Sequence, residues 1–125
     1  DGFKEINDRY GHVVGDRVLV LVAGVLGAHL RKTDIAARYG GDEFAVILPE
    51  TDLPAAAVIA GRIAEGISGV RMEVAPESVV SFTASIGYAA CASDSQDRGQ
   101  ILAIADRLMY ESKRRGYGGV LGRQI

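Results

Sequence analysis

Arg38-Tyr39-Gly40-Gly41-Asp42-Glu43-Phe44 runs straight into Ala45-Val46-Ile47-Leu48-Pro49, and the fold turns on how this stretch is read. Residues 34–39 and 44–48 carry strand patterning, and the glycines between them predict a tight hairpin turn able to take positive φ. The next two residues, Asp42 and Glu43, are carboxylates delivered at the start of a buried strand. Adjacent acids repel each other. Divalent cations relieve that repulsion, and hard oxygen donors favour magnesium or calcium over zinc. A solvated acidic hairpin tip is the plainer reading of the same residues.

Composition sets the bounds around this hairpin. A chain of 125 residues, 48% hydrophobic and 24% charged, is one domain able to bury its own core, and it does not have the make-up of a disordered segment. The net charge of -2 provides no general polyanion-binding surface, so no nucleic-acid polymer is expected as a partner and any phosphate site must be local. The single cysteine, Cys91, excludes an internal disulfide and a cysteine-based zinc site; it follows an apolar strand and reads as a core or core-edge residue. The apolar run 18–30 is shorter than a membrane span and contains glycine and histidine. The expected location is therefore the cytoplasm, with a membrane anchor elsewhere in a parent protein left open.

Asn7-Asp8, Gly11 and Gly15-Asp16 punctuate residues 1–16, which predict a loop with two turns. From Arg17 onward, Val18, Leu19, Leu21, Val22, Val25, Leu26 and Leu30 recur at helical spacing, with Asp16 as the N-cap and an end near Arg31 or Lys32. Gly24 and Gly27 cost about 1 kcal/mol each in a helix, which predicts that a neighbour packs closely there. Asp52 caps a second helix with Pro54 in its first turn; Ala57, Val58, Ala60, Ile63, Ala64 and Ile67 face inward, and Gly66 and Gly69 end it. A short strand or loop follows over 70–78. Residues 80–88 alternate with a period of two and predict one half-buried strand, with Val80, Phe82, Ala84, Ile86 and Tyr88 on one face. A polar linker over 93–98 leads to a last helix with Ile101, Leu102, Ala105, Leu108, Met109 and Ser112 inward. Gly116 closes that helix, and Val120-Leu121 forms a short edge strand. This order predicts an α/β protein in which helices cover a largely antiparallel sheet.

Gly40-Gly41-Asp42-Glu43-Phe44 resembles the signature of the GGDEF domains, the diguanylate cyclases, and the resemblance covers nearly the whole chain. It includes Phe3-Lys4, Ile6-Asn7-Asp8, Tyr10-Gly11-His12, Gly15-Asp16, Arg31 with Asp34, Ser85-Ile86-Gly87, and Ala105-Asp106 through Tyr110 to Lys113. The resemblance implies one GGDEF domain over residues 1–125, with the nucleotidyl-cyclase or palm-like fold and the signature on a β-hairpin. It implies condensation of two GTP into cyclic di-GMP with release of two pyrophosphates, a magnesium cofactor with manganese as the alternative, and a homodimer whose GTP-loaded domains face one another. A sensor or receiver domain upstream in the parent protein is implied as well.

By the same resemblance, Asp42 is a metal ligand, and Glu43 acts through a metal or as the base for the attacking hydroxyl. Phe3 and Lys4 match positions whose backbone N–H groups hold terminal phosphates, Asn7 and Asp16 match the pair that reads guanine, and Lys113 matches a phosphate-binding lysine. As residues alone, they read as a core phenylalanine, a solvated lysine, a turn asparagine, a helix-capping aspartate and a lysine suited to a helix C-terminus. Arg31 and Asp34 stand at the spacing of the family's inhibitory product site; taken alone they are a surface ion pair. His12 and His29 read as structural.

Two departures matter. Gly116-Tyr117-Gly118 stands where the family has Gly-Arg-Asn, and a tyrosine brings no positive charge to a triphosphate. The family's other metal carboxylate and a neighbouring carbonyl ligand precede Asp1, which itself matches the second acid of an Asp-x-Asp pair. The chain thus reads as a domain lacking the family's N-terminal strand and helix, with weak or no activity expected of it alone. The alternative is a catalytically degenerate GGDEF domain that binds cyclic di-GMP through Arg31 and Asp34, or GTP through the remaining half-site.

Overall fold

The computed structural model describes residues 1–92 and 97–125, so the polar linker expected over 93–98 falls mostly outside the described residues. Along the chain run α1 (Phe3–Tyr10), α2 (His12–His29), β1 (Ile35–Arg38), β2 (Phe44–Ile47), α3 (Leu53–Ser68), β3 (Met72–Ala75), β4 (Ser78–Val80), β5 (Ile86–Ala90), α4 (Arg98–Arg115) and β6 (Val120–Gln124). The architecture is α/β, as expected. Its strands pair as two antiparallel ladders, β1–β2 and β3–β4, and one parallel ladder, β5–β6. The core gathers Ile6 of α1, Val18 and Leu26 of α2, Ile63 and Ile67 of α3, and Met72, Val80 and Phe82.

The segment 1–16 is helical rather than a loop. Asn and Asp disfavour helix only weakly, and burial of Ile6 against the core outweighs that preference. Gly11, at φ 89 and ψ 167, breaks the run in two; its N–H caps α1 on the Asn7 carbonyl, and it stands as N-cap of α2. Asp16 therefore lies inside α2 and not at its cap, and α2 ends at His29, sooner than expected.

This second helix has 18 residues and a mean hydropathy of 1.4, long and apolar enough to cross a membrane by length and composition alone, which the count over 18–30 understated. Val18 and Leu26 enter the core, whereas Leu21, expected inward, is exposed. Gly24 and Gly27 face open space, contrary to the close packing expected of them. The close approach of α2 to α3 falls at Gly66, where a Cβ would lie 2.8 Å from Val25 Cγ1 and 3.3 Å from His29 Nε2. Gly66 thus sits within α3, and Gly69 alone caps its C-terminus.

At its other end α3 begins as expected: the Asp52 side chain accepts from Ala55 N–H at 2.9 Å, with Pro54 in the first turn. Its buried stripe is Ala56, Ala60, Ile63 and Ile67, so Val58, expected inward, faces solvent. The strand expected over 80–88 is divided between β4 and β5: residues 81–85 join no ladder, and the Thr83 and Ser85 hydroxyls donate to the Asp1 carboxylate.

Asp97 caps α4 by accepting from Gly99 N–H at 2.7 Å. The helix buries Leu108 and Ser112 but leaves Leu102 exposed. It lies directly on β5 at Gly87, where a Cβ would stand 2.1 Å from Ala105 O and 2.2 Å from Met109 N. Only glycine admits helix backbone that near. As the crossover between β5 and β6, α4 permits their parallel pairing, and the Tyr88 ring covers its cross-strand partner Gly122.

Candidate functional site

The acidic hairpin is built by its own backbone. Tyr39 N–H and Gly40 N–H donate to the Glu43 carbonyl at 2.8 and 3.2 Å, closing the loop between Arg38 and its partner Phe44. Arg38 folds over this loop, with Nε 3.1 Å from Gly40 O and Nη2 2.8 Å from Gly41 O. Neither Gly40 nor Gly41 adopts positive φ, because residues 39–43 share the reversal; the tight turn expected from the glycine pair is not formed. Nor is β2 a buried strand: Phe44, Ala45 and Val46 are half-buried and Ile47 is exposed. Asp42 is solvent-exposed and Glu43 half-covered.

A second component is the start of α1. Gly2, in the left-handed region at φ 72, precedes the helix without a side-chain cap, and the first helical bond runs from Ile6 N–H to Gly2 O at 3.1 Å. Phe3 and Lys4 occupy the first positions, where backbone N–H groups have no partner within a helix and are available to an anion. What the sequence read as a loop is a helix N-terminus, and this is the physical reason such N–H groups are free.

Asp1 fixes that end in place. Its carboxylate accepts from Thr83 Oγ1 at 2.8 Å, from Ser85 Oγ at 2.9 Å and from Gly118 N–H at 3.0 Å. The bond to Gly118 sets the start of α1 beside the loop that follows α4 and Lys113. A depression of about 300 Å³ opens beside Asp1, with Arg71, Phe82, Thr83 and Tyr117 also among its lining.

On α1, Asn7 lies against α2 at Gly15, the residue before Asp16. Its Oδ1 is buried without a hydrogen-bond partner. Asp16 points to solvent.

Arg31 and Asp34 form a closed unit. Arg31 Nη2 is 2.9 Å from Asp34 Oδ1, and the Arg31 backbone N–H donates to Oδ2 at 2.7 Å. Nη2 also reaches Pro49 O at 3.0 Å and Thr51 Oγ1 at 2.7 Å. The Asp34 side chain is 0% exposed and that of Arg31 51%. The Arg31 hydrogen bond holds the Asp34 carboxyl below its ordinary range, and the same bond raises Arg31. Because Ile35 pairs with Ile47, this unit stands at the base of the hairpin whose tip carries Asp42 and Glu43.

Phe3 and Lys4 thus stand at the start of α1, which Asp1 ties to the loop after Lys113; Asn7 lies against Gly15, the residue before Asp16; Asp42 and Glu43 are at the tip of the hairpin, and Arg31 and Asp34 at its base. Sequence reasoning missed Thr83, Gly118, Pro49 and Thr51 as partners. Ser85 had a signal in the Ser-Ile-Gly motif but no assigned role. Among the described residues no group of three or more His, Cys, Asp or Glu side chains converges. Magnesium is commonly held by one or two carboxylates together with water and substrate phosphates, so Asp42 and Glu43 fit it in kind.

The fold and this arrangement define an α/β domain with an acidic hairpin and a free helix N-terminus. The family model for the diguanylate cyclase GGDEF domain matches residues 1–118, and the chain belongs to that family. It is 40% identical over 124 residues to the response regulator PleD of Caulobacter vibrioides, covering 98% of this chain and 27% of that protein. It is 36% identical over 129 residues to the probable diguanylate cyclase DgcT of Escherichia coli, covering 100% of this chain and 28% of that protein. The chain thus spans about a quarter of the length of these curated relatives. Among solved structures, the GGDEF domain of DgcB from Caulobacter crescentus in complex with c-di-GMP matches with a TM-score of 0.90 and 32% identity, over 98% of this chain and 72% of that one.

Proposed function

We propose that this domain condenses two GTP into cyclic di-GMP with release of two pyrophosphates, and that product bound at Arg31 and Asp34 restrains it. The observation that supports the reading is the N-terminus of α1, where Phe3 and Lys4 carry unpaired N–H groups and which Asp1 ties to the loop after Lys113. Phe3 and Lys4 N–H groups and Lys113 hold phosphate oxygens. The Asp16 carboxylate accepts from the guanine ring N–H and exocyclic amine together, which adenine cannot supply, and Asn7 reads the same base. Asp42 and Glu43 hold the divalent cation, magnesium or manganese, which when bound neutralises charge on the phosphates.

The 3′-hydroxyl of one GTP attacks the α-phosphate of the other; a P–O bond forms, and pyrophosphate leaves with the electron pair of the bond it breaks. The hydroxyl proton passes to a base, the role assigned to Glu43. Each domain holds one GTP, so closing both phosphodiesters requires a homodimer with the sites facing. GTP and a cytoplasmic setting, with an upstream sensor or receiver domain controlling the pairing, complete the proposal.

Glu43→Gln tests it: GTP turnover followed by chromatography is abolished, while binding of cyclic di-GMP by calorimetry stays nearly unchanged. Equal loss of both rejects the two-site assignment. A second reading rests on Tyr117, exposed where the family carries an arginine: a domain that binds cyclic di-GMP without making it. Absence of product from folded, nucleotide-free protein that still binds cyclic di-GMP selects that reading.

A further inference from the structure

We propose that Gly15 is a specificity-determining position of the nucleotide site: its bare Cα is the surface on which the Asn7 carboxamide rests, and a side chain there would displace Asn7 from the base. The inference rests on the reading of Asn7 and Asp16 as the guanine-recognising pair.

Two observations converge on it. A Cβ built on Gly15 would stand 1.8 Å from Asn7 Oδ1 and 2.9 Å from Asn7 Cγ, with the Phe3 ring at 3.4 Å. No rotation of the methyl group relieves such an overlap, so Asn7 or the whole of α1 must move. Independently, the Asn7 Oδ1 pressed against this glycine is buried and has no hydrogen-bond partner. A buried acceptor without a donor is a cost to folding, so this contact does not explain itself as stabilisation. The contact holds one end of the half-buried carboxamide against the helix and leaves its other end for a partner outside the chain. The oxygen and nitrogen ends of a carboxamide can exchange by a flip, and the argument is the same for either end.

Backbone conformation does not require the glycine, since Gly15 is helical and lies outside the positive-φ positions. Glycine weakens a helix interior, and Gly24 and Gly27 in the same helix face open space. At Gly15 alone in α2 is the missing side chain accounted for by a neighbour, and that neighbour is polar. Asp16 follows directly on the same helix, so Gly15 joins the two base-reading residues: it sets the depth of one and precedes the other in the chain.

The test compares affinity for GTP with that for ATP, whose base differs along the whole Watson–Crick edge, in wild type, Gly15→Ala, Asn7→Ala and the double variant, with circular dichroism melting as the check on folding. The wild type prefers GTP; Asn7→Ala and Gly15→Ala each reduce that preference by roughly tenfold or more, and the double variant behaves as Asn7→Ala because the smaller residue leaves room for the methyl. A Gly15→Ala protein that keeps the wild-type preference while Asn7→Ala loses it overturns the role of Gly15 alone. Equal preference in wild type and Asn7→Ala overturns the guanine-reading pair and the proposal with it. Should Gly15→Ala fold poorly, the double variant decides: any preference lost beyond that of Asn7→Ala contradicts the steric account.

Discussion

The Asp1 carboxylate accepts a hydrogen bond from the Gly118 backbone N–H at 3.0 Å, tying the start of α1 to the loop between α4 and β6. The same carboxylate takes the hydroxyls of Thr83 and Ser85, so one side chain joins three segments distant in sequence. Asp1→Ala leaves these part-buried donors unpaired and is expected to cost about 1–3 kcal/mol, read as a lower urea midpoint at unchanged slope. Asp1→Asn, which keeps one acceptor oxygen, costs less. An Asp1→Ala protein as stable as wild type would show that water replaces the carboxylate.

Glycines in this chain differ in sign. Gly87→Ala forces a methyl into the backbone of α4 and is expected to destabilise by about 3 kcal/mol or more, or to prevent folding. Gly24→Ala fills open space in a helix and stabilises by roughly 0.5–1 kcal/mol. Thermal melts of both variants check the pair, and a neutral Gly87→Ala would mean that α4 can lift off β5.

Asp34 makes the Arg31 unit sensitive to acid. Its carboxyl is depressed in the folded protein, so its contribution is fully present above the unfolded value of about 3.9 and is lost as pH falls through the lower folded value. Asp34→Asn should flatten the pH dependence of stability in that acid window and lower stability at neutral pH, where the carboxylate's contribution is fully present, since the Asp34 side chain is 0% exposed and bonded to Arg31. Urea titrations between about pH 5 and 2 measure it, and identical acid profiles for wild type and variant would reject the linkage.

Tyr117 is 65% exposed, so Tyr117→Arg should leave the melting temperature unchanged. By adding a cation beside the loop that follows Lys113, it is expected to tighten GTP binding severalfold, most clearly at low salt. Calorimetric titration at two ionic strengths tests this. Unchanged affinity would place residue 117 away from the phosphates.

Local rules in the sequence settled much of this protein. The hairpin over 34–48, Asp52 and Pro54 at the start of α3, Gly116 at the end of α4 and the α/β class follow from turn chemistry, capping and periodicity, which act over a few residues. The spaced motifs from Phe3 to Lys113 carried the family. Tertiary structure decided what those rules weigh too weakly. Residues 1–16 became helices because Ile6 and Val18 bury together, a gain that no punctuation signal registers. Val58 and Leu102 turned outward because only packing partners set the phase of a helix that is apolar on several sides. Residues 81–85 join no ladder, and the hydroxyls of Thr83 and Ser85 there donate to the carboxylate of Asp1, a partner that no local pattern announces. In the site, the sequence named Asn7 but not the Gly15 it rests on, and Asp1 but not its bonds to Thr83, Ser85 and Gly118, since a chain fixes spacing along itself and only packing brings such distant residues together.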